Sequence, residues 1–224
     1  TGAGKSTTMA CLIDRINRSR RCRIITIEDP VEYQLDGINQ IQVHSKIGLT
    51  FSASLRSILR HDPDIVLVGE IRDLETAENA IQASLTGHMV FSTLHTNDSA
   101  GAYTRMTDMG VEPFLVASTV EAVMSQRLVR RLCKNCKRPV DLDNMDVPHD
   151  FPRDMMDGDV FEAVGCRECR NVGYSGRLGI YELMLTTDEV RDLATQNASR
   201  WALKKVAVRN GMGTLREDGW RIVI

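Results

Sequence analysis

The chain is poor in aromatic residues, long apolar segments and cysteine. Aromatics make up 5% of its 224 residues, so Ile, Leu, Val, Met and Ala must build the core. Its apolar runs, such as Ile65–Val68, are a few residues long, whereas roughly 20 are needed to span a bilayer, which argues against a transmembrane helix. Six cysteines are too few for a disulfide scaffold of this length. The 28 Lys and Arg nearly balance the 30 Asp and Glu, so no global charge draws the chain to nucleic acid or to an anionic membrane.

The two ends of the sequence indicate a piece of a longer protein. It opens on Thr1 without an initiator Met and stops directly after the apolar residues 222–224. We therefore expect the sequence to be a fragment of a longer protein. The sequence is silent on targeting signals.

Short β-branched runs alternate with helical stretches in the first half of the chain. Runs without polar alternation are typical of strands covered on both faces. The predicted strands are Arg23–Ile27, Asp64–Val68 and Met89–Ser92, and the predicted helices are Lys5–Arg18, Ser52–Arg60 and Thr76–Thr86. Strands that alternate with helices imply βαβ units and a three-layer α/β domain.

From about residue 100 the pattern predicts successive helices. The apolar residues of Thr119–Leu132 fall at helical spacing and predict a helix with one buried stripe. The acidic stretch Pro139–Asp159 contains Pro148 and Pro152 in its interior and predicts irregular structure. A glycine-punctuated β segment is expected at Gly173–Glu182, followed by helices at Asp188–Gln196 and Ser199–Asn210.

The strongest chemical signal is Gly4-Lys5-Ser6 at the start of the first predicted helix. In a phosphate-binding loop, G-x-x-x-x-G-K-[ST], backbone N–H groups wrap the phosphates, the Lys reaches the β/γ oxygens and the hydroxyl ligates Mg²⁺. The helix N-terminus adds partial positive charge. The sequence supplies the second half of this loop, and a chance turn is the alternative. The predicted ATP-binding residues here are Thr1, Gly2, Ala3, Gly4, Lys5, Ser6 and Thr7, with Ser6 as the magnesium ligand.

Carboxylates and histidines lie at the ends of the predicted strands. Glu70 follows the second strand, 65 residues after Lys5, where such an acid supports Mg²⁺ or orients the attacking water. Glu28 and Glu32 follow the first strand and are candidates for polarising that water, although a polar turn is the plainer interpretation. Strand ends at one edge of an open α/β sheet converge on the ligand. Two histidines, His88 and His95, bracket the third strand and could sense the γ-phosphate.

Four cysteines form two Cys-x2-Cys pairs separated by 29 residues. Two such knuckles match tetrahedral zinc–thiolate geometry, and four sulfurs leave no open position, so a structural zinc is predicted. Disulfides are the alternative, which a reducing compartment disfavours. The predicted ligands are Cys133, Cys136, Cys166 and Cys169, whereas Cys11 and Cys22 fit no ligand spacing.

A basic stretch surrounds the first cysteine pair. Six basic residues and no acid lie between Arg127 and Arg138. Basic zinc modules often bind nucleic acid, so a DNA-translocating motor is an alternative. No aromatic stacking platform is interleaved with these charges. We therefore expect no direct nucleic-acid partner, and the cluster more often offsets thiolate charge or faces a protein.

Three longer segments resemble the secretion ATPase superfamily, the motors of type II secretion and type IV pili. Residues 26–33 resemble its Asp box, residues 61–73 its Walker B segment and residues 86–97 its His box. The resemblance implies a RecA-like ATPase core in which Glu28 is the catalytic glutamate, Glu70 the Walker B acid, and His88 and His95 the His-box histidines. The family's arginines near the nucleotide would correspond to Arg56, Arg60 and Arg72.

The four-cysteine element resembles that of type II secretion ATPases and type IV pilus assembly ATPases. Pilus retraction ATPases lack the two cysteine pairs, which argues against a retraction motor. The 29-residue gap between the cysteine pairs and the segment that leads into the first pair, residues 126–133, favour a type II secretion ATPase. A pilus assembly ATPase is the alternative. The resemblance implies ATP hydrolysis with Mg²⁺, a structural zinc and a homohexamer. This ring would be cytoplasmic and would drive pseudopilus assembly through inner-membrane platform and cytoplasmic-domain proteins, so that its membrane association is indirect. A subunit that binds ATP without hydrolysing it is a further alternative.

These inferences divide the chain into three parts. Residues 1–132 are expected to form the ATPase core, without its first strand and the first half of the phosphate loop. Residues 133–183 would form a zinc-binding module, and residues 184–224 a C-terminal helical segment.

Overall fold

The computed structural model describes residues 2–142, 146–156 and 158–223. Their contacts form two compact units. The first, here called the core unit, comprises Lys5–Val123 and Met184–Gly211. The second, the cysteine unit, comprises residues 2–4, 124–183 and 212–223. The three-part division expected from the sequence stays a prediction.

The core unit is built on a four-stranded parallel sheet. Its strands are β1 (Ile24–Glu28), β2 (Asn39–Gln42), β3 (Ile65–Val68) and β4 (Met89–Ser92), in the order β2-β1-β3-β4. The register pairs Ile24 with Ile65 and Ile65 with Met89. Strands β1 and β3 are central and almost fully buried. The continuous apolar runs therefore predicted the strands correctly, since both faces are covered.

Helices cover this sheet as the alternating pattern predicts. They are α1 (Lys5–Ser19), α2 (Phe51–Ile58) and α3 (Leu74–Leu85). On α1, Ile13 is buried and packs in one cluster with Ile24, Ile65 and Leu67 of the sheet. The α3 helix begins two residues before its predicted start because Asp73 caps it, accepting a hydrogen bond from the Thr76 N–H at 2.8 Å.

Further helices complete the core unit. They are α4 (Gly101–Asp108), α5 (Pro113–Thr119), α6 (Asp188–Thr195) and α7 (Arg200–Arg209). The predicted helix at Ser199–Asn210 is confirmed, and Ser199 accepts a hydrogen bond from the Ala202 N–H. Two buried hydroxyls, those of Tyr103 and Thr186, lie 2.6 Å apart and tie α4 to the chain that leads into α6.

The predicted helix over Thr119–Leu132 is wrong. Helix α5 ends at Thr119, Val120 is extended, and residues Ala122–Leu132 form strand β5. This strand pairs with β8 (Tyr174–Leu185), the β segment expected after the second cysteine pair. Short apolar patterns fit a helix or a strand equally, and here the pairing with β8 decides the outcome.

The cysteine unit contains short, irregular elements. Strands β6 (Arg138–Pro139) and β7 (Phe161–Glu162) form an antiparallel pair, and a 3₁₀ turn spans Arg153–Met155. The described part of residues 139–159 is otherwise irregular, as predicted. Helix α8 (Leu215–Val223) ends the unit.

Helix α8 is fastened to the acidic loop of the cysteine unit. Arg216 forms an ion pair with Asp150, and the ring of Trp220 meets that of Phe151 edge-on at 5.4 Å. Within the described residues, the helices are too short or too polar to cross a membrane.

Candidate functional site

The carboxyl ends of the four parallel strands share one edge of the sheet, here called the carboxyl edge. The chain leaves β1 at Glu28, β3 towards Glu70 and β4 towards His95. Lys5, at the start of α1, reaches the same edge, where its Nζ donates to the Leu94 carbonyl oxygen at 3.2 Å. The parallel topology thus gathers residues that are far apart in sequence.

The first turn of α1 lies against the loop that follows β1. The Ser6 hydroxyl donates to Glu32 Oε1 at 3.1 Å, and the Thr7 hydroxyl lies 2.9 Å from that of Tyr33. Hydroxyl and carboxylate oxygens are the ligands that Mg²⁺ prefers, so the donor set around Ser6 fits that ion.

Glu28 is held by two hydrogen-bond donors on the same face of the sheet. Its Oε1 accepts from the Thr26 hydroxyl at 2.6 Å and from Gln40 Nε2 at 3.1 Å. Neither donor was singled out from the sequence. Thr26 could have been found, because residues two apart in a strand share a face. Gln40 could not, because its position depends on the register of β2.

Glu70 lies between two basic side chains. It forms an ion pair with Arg72, and His95 Nε2 lies 3.2 Å from Glu70 Oε2. Its side chain is 13% exposed. Burial opposes ionisation, but hydrogen bonds and charge from Arg72 and His95 outweigh it and lower the pKa of Glu70. The carboxylate is therefore ionised at neutral pH.

Backbone contacts bring the ends of β1, β3 and β4 close together. The Gly69 N–H donates to the Ile27 carbonyl at 2.7 Å, and the Thr93 hydroxyl donates to the Gly69 carbonyl at 2.8 Å. A Cβ at Gly69 would lie 3.1 Å from the Ile27 carbonyl oxygen and 3.4 Å from the Glu28 Cα. Only glycine permits this approach without displacing the backbone, and the approach brings the chain just before Glu70 against the backbone of Glu28.

The described residues of the predicted phosphate loop that precede Lys5 belong to the cysteine unit. Gly2 and Gly4 have φ values of +79° and +83°, the left-handed region that favours glycine. Gly2, Ala3 and Gly4 group with the cysteine unit, and Thr1 lies outside the described residues.

His88 is not brought to this cluster. It precedes β4 and so lies at the opposite, amino edge of the sheet, where its Nδ1 is 3.0 Å from the Ala83 carbonyl oxygen and 3.1 Å from the Thr86 hydroxyl. His88 and His95 therefore bracket β4 as the sequence predicts, and their expected role as sensors of the γ-phosphate stays a prediction. Any contact between His88 and a nucleotide would therefore be made at the amino edge of the sheet.

The three candidate arginines also separate. Arg72 lies at the carboxyl edge with Glu70. Arg56 forms an ion pair with Glu75 on α3 instead. Arg60 lies in the 3₁₀ turn Leu59–His61 that leads into the amino end of β3. Arg72 is therefore the arginine that the fold places with the site carboxylates.

The four predicted metal ligands meet at one point of the cysteine unit. Their sulfurs all lie within 4.8 Å of one another, and three of the separations are 3.7, 3.8 and 3.9 Å. Sulfurs placed tetrahedrally 2.3 Å from a Zn²⁺ would be about 3.8 Å apart. All six cysteines of the chain are free thiols, so the disulfide alternative does not hold. The four residues are Cys133, Cys136, Cys166 and Cys169.

Backbone N–H groups point at these sulfurs. The Cys166 and Gly173 N–H groups donate to Cys169 Sγ at 3.2 Å each, and the Gly165 N–H donates to Cys136 Sγ at 3.3 Å. Burial opposes ionisation of Cys169, but these two donors, with the thiols of Cys166 and Cys136, outweigh it and lower the pKa of its thiol to about 6. Burial and the neighbouring thiols raise the pKa of Cys136 to about 11, despite the Gly165 N–H. Preformed N–H donors of this kind stabilise the thiolates that a metal requires.

The basic stretch beside the cysteines is partly occupied by internal partners. Arg130 lies 3.8 Å from the ring centre of Tyr174, and Lys137 lies 3.6 Å from that of Phe161. Arg138 forms an ion pair with Glu162. These cations cover the faces of two aromatic rings, on which a base could otherwise stack. The expectation of no direct nucleic-acid partner stays a prediction.

The carboxyl edge and the four-cysteine cluster together identify the class of protein. The family described as "Type II/IV secretion system protein" matches residues 1–224, and the chain belongs to that family. The type II secretion system protein HxcR of Pseudomonas aeruginosa is 51% identical over 221 residues, covering 99% of this chain and 43% of that relative. The type IV pilus assembly ATPase PilB of Myxococcus xanthus is 47% identical, covering 99% and 39%. The chain thus spans less than half the length of these relatives.

The fold agrees with that assignment. A solved structure of the pilus retraction motor PilT with bound ADP superposes with a TM-score of 0.63 and 29% identity. The superposition covers 97% of this chain and 57% of the PilT chain. The predicted α/β fold of an ATPase with a four-cysteine submodule is therefore confirmed, as is the resemblance to the secretion ATPases.

Proposed function

We propose that this chain is the ATP-hydrolysing part of a type II secretion motor, which powers pseudopilus assembly and protein export. The observation that carries this proposal is the gathering of Lys5, Ser6, Glu28 and Glu70 at the carboxyl edge. A basic group, a hydroxyl and ionised carboxylates around the N-terminus of a helix are the parts that phosphoryl transfer requires.

Each group has a role that its surroundings support. Lys5 and the loop N–H groups bind the β- and γ-phosphates, with Ser6 and Glu32 facing the metal position. Magnesium, when bound, neutralises charge on the β- and γ-oxygens. Glu28 Oε1 is held by two donors, so its other oxygen can accept a proton from the attacking water. Glu70 orients that water or the metal's water ligands, while Arg72 and His95 keep it ionised.

We also propose that the cysteine cluster holds one structural zinc ion. Sulfur spacing close to a tetrahedral edge and the N–H donors to Cys169 support this assignment. Four thiolates fill the coordination shell, so the metal would stabilise the unit and take no part in hydrolysis.

The assembly proposed for the whole protein follows the family. It is a homohexameric, cytoplasmic ring that acts through inner-membrane platform and cytoplasmic-domain proteins, with no direct contact with nucleic acid. A type IV pilus assembly ATPase is the second candidate, because PilB of M. xanthus is nearly as similar to this chain as HxcR is.

Hydrolysis by the natural gene product that contains residues 1–224 tests the proposal. We expect Glu28→Gln and Glu70→Gln each to lower kcat by about 100-fold or more, because each removes a group that acts on the attacking water. Glu78→Gln, an exposed glutamate on α3, is the matched control and should hydrolyse ATP like the parent protein.

Two results would contradict the proposal. Unchanged kcat in both Glu28→Gln and Glu70→Gln would show that ATP is not hydrolysed at the carboxyl edge. Stimulation of hydrolysis by DNA, with binding that weakens steeply as salt rises, would favour a DNA-translocating motor instead.

A further inference from the structure

We propose that Gln40 and Thr26 are positioning residues that aim the Glu28 carboxylate, an inference that rests on the proposed function of Glu28. Both act on the same oxygen. Thr26 donates to Glu28 Oε1 at 2.6 Å and Gln40 Nε2 donates to it at 3.1 Å. Within the described residues Oε2 has no hydrogen-bond partner, so one oxygen is fixed and the other is free to act.

The sheet places the three side chains together. Thr26 and Glu28 are two residues apart on β1 and share a face. The parallel register sets Gln40 of β2 directly beside Thr26. Thr26 is fully buried, so its hydroxyl is aimed by packing as well as by the hydrogen bond.

The Gln40 amide is locked in one orientation. Its Nε2 donates to the Tyr33 carbonyl at 2.9 Å as well as to Glu28, and its Oε1 accepts from the Leu35 N–H at 2.8 Å. Turning the amide over would set its oxygen against the Glu28 carboxylate and its NH₂ against the Leu35 N–H. Both contacts would be repulsive, so the network itself fixes which atom faces Glu28.

This arrangement does more than stabilise a loop. The same glutamine fastens the segment between β1 and β2 at Tyr33 and Leu35, and this segment contains Glu32. Gln42, two residues further along β2 and the register partner of Glu28, fastens the segment too, by accepting from the Val31 N–H at 3.3 Å. Within the described residues, its side chain does not donate a hydrogen bond to the Glu28 carboxylate. A comparison of Gln40 and Gln42 variants therefore distinguishes the effect of fastening the loop from the effect of orienting the Glu28 carboxylate.

The test compares isosteric variants in the natural gene product. We expect Gln40→Met and Thr26→Val each to lower kcat about 10-fold while the KM for ATP changes less than about twofold, because misplacing a reacting group slows chemistry rather than binding. Thr26→Ser keeps the hydroxyl and should retain a kcat within about threefold of the parent. Gln42→Met is the matched control and should leave kcat unchanged.

A double-variant measurement separates positioning from a general structural role. In a Glu28→Gln background the Gln40→Met and Thr26→Val changes should cause no further loss of kcat, because the group that they aim is already disabled. A structural defect would add to the loss and would also lower the unfolding temperature.

The two hypotheses fail in different ways. If Glu28→Gln abolishes hydrolysis but both Gln40→Met and Thr26→Val turn over like the parent, the positioning inference is overturned and the proposed function stands. If Glu28→Gln itself is fully active, the proposed function of Glu28 fails first. Should Gln40→Met not fold, the Thr26→Val and Thr26→Ser pair still decides the matter.

Discussion

In the core unit the site side chains are held by buried parallel strands, whereas in the cysteine unit the four thiols sit on short elements with little apolar packing. The core unit buries a large set of aliphatic side chains, with Ile27, Val66 and Val68 fully inaccessible. Among the described residues of the cysteine unit, the buried apolar side chains other than cysteine are Ile180 and Met212. A hydrophobic core stabilises the first unit, and the second needs another source of stability.

The two units differ in what fixes the geometry of their candidate sites. At the carboxyl edge, hydrogen-bonded strands place Glu28 and Glu70 before any ligand arrives. In the cysteine unit, backbone N–H groups prepare the sulfurs, but a bound metal would supply most of the free energy that holds them together.

The largest expected effect is therefore metal loss in the cysteine unit. We expect Cys169→Ser, or removal of metal by a chelator, to unfold this unit while the core unit keeps its structure. Elemental analysis should fall from about one Zn per chain to none. Amide hydrogen exchange should rise across residues 124–183 and stay low in β1 and β3.

The matched control for that change is Cys11→Ser, an exposed cysteine outside the cluster. It should keep both the metal and the exchange pattern. A cysteine unit that stays folded and protected without metal would show that its own packing suffices, and the contrast between the units would disappear.

A smaller effect is expected from a buried charge in the core unit. Asp98, with a side chain 6% exposed, pairs with Arg200 and Lys204 on α7 and accepts from the Gly101 N–H at 3.0 Å. Asp98→Ala removes the buried carboxylate that Arg200, Lys204 and the Gly101 N–H share and should lower the free energy of unfolding of the core unit by about 3 kcal/mol. Denaturant unfolding measures the change.

The exposed pair between Asp14 and Arg18 is the control, because Arg18 is 78% exposed. Asp14→Ala should cost less than about 1 kcal/mol. Equal effects from the two changes would mean that burial does not set the strength of these ion pairs, contrary to the account of the core unit.

Much of the fold could be predicted because its signals are local. Short runs rich in β-branched residues, such as Ile65–Val68, favour a strand covered on both faces, and the cysteine spacing predicts the sulfur cluster. Strand β5 could not be predicted, because its apolar spacing also fits a helix and only pairing with the distant β8 decides.

The same reasoning applies to the candidate site. Glu28 and Glu70 follow strands, so topology alone brings them to one edge. His88 precedes its strand, and attention to strand direction would have placed it at the other edge. Gln40 depends on the register of an edge strand, which no local pattern in its sequence fixes.

The central claim is that Lys5, Glu28 and Glu70 surround one triphosphate. The structure of the Glu28→Gln variant of the natural gene product with ATP and Mg²⁺ tests it most directly. The account predicts the γ-phosphate within hydrogen-bonding distance of Lys5 Nζ, with residues 28 and 70 facing the γ-phosphate, its water or its metal. A triphosphate bound away from the carboxyl edge, with Lys5 still bonded to the Leu94 carbonyl, would contradict it.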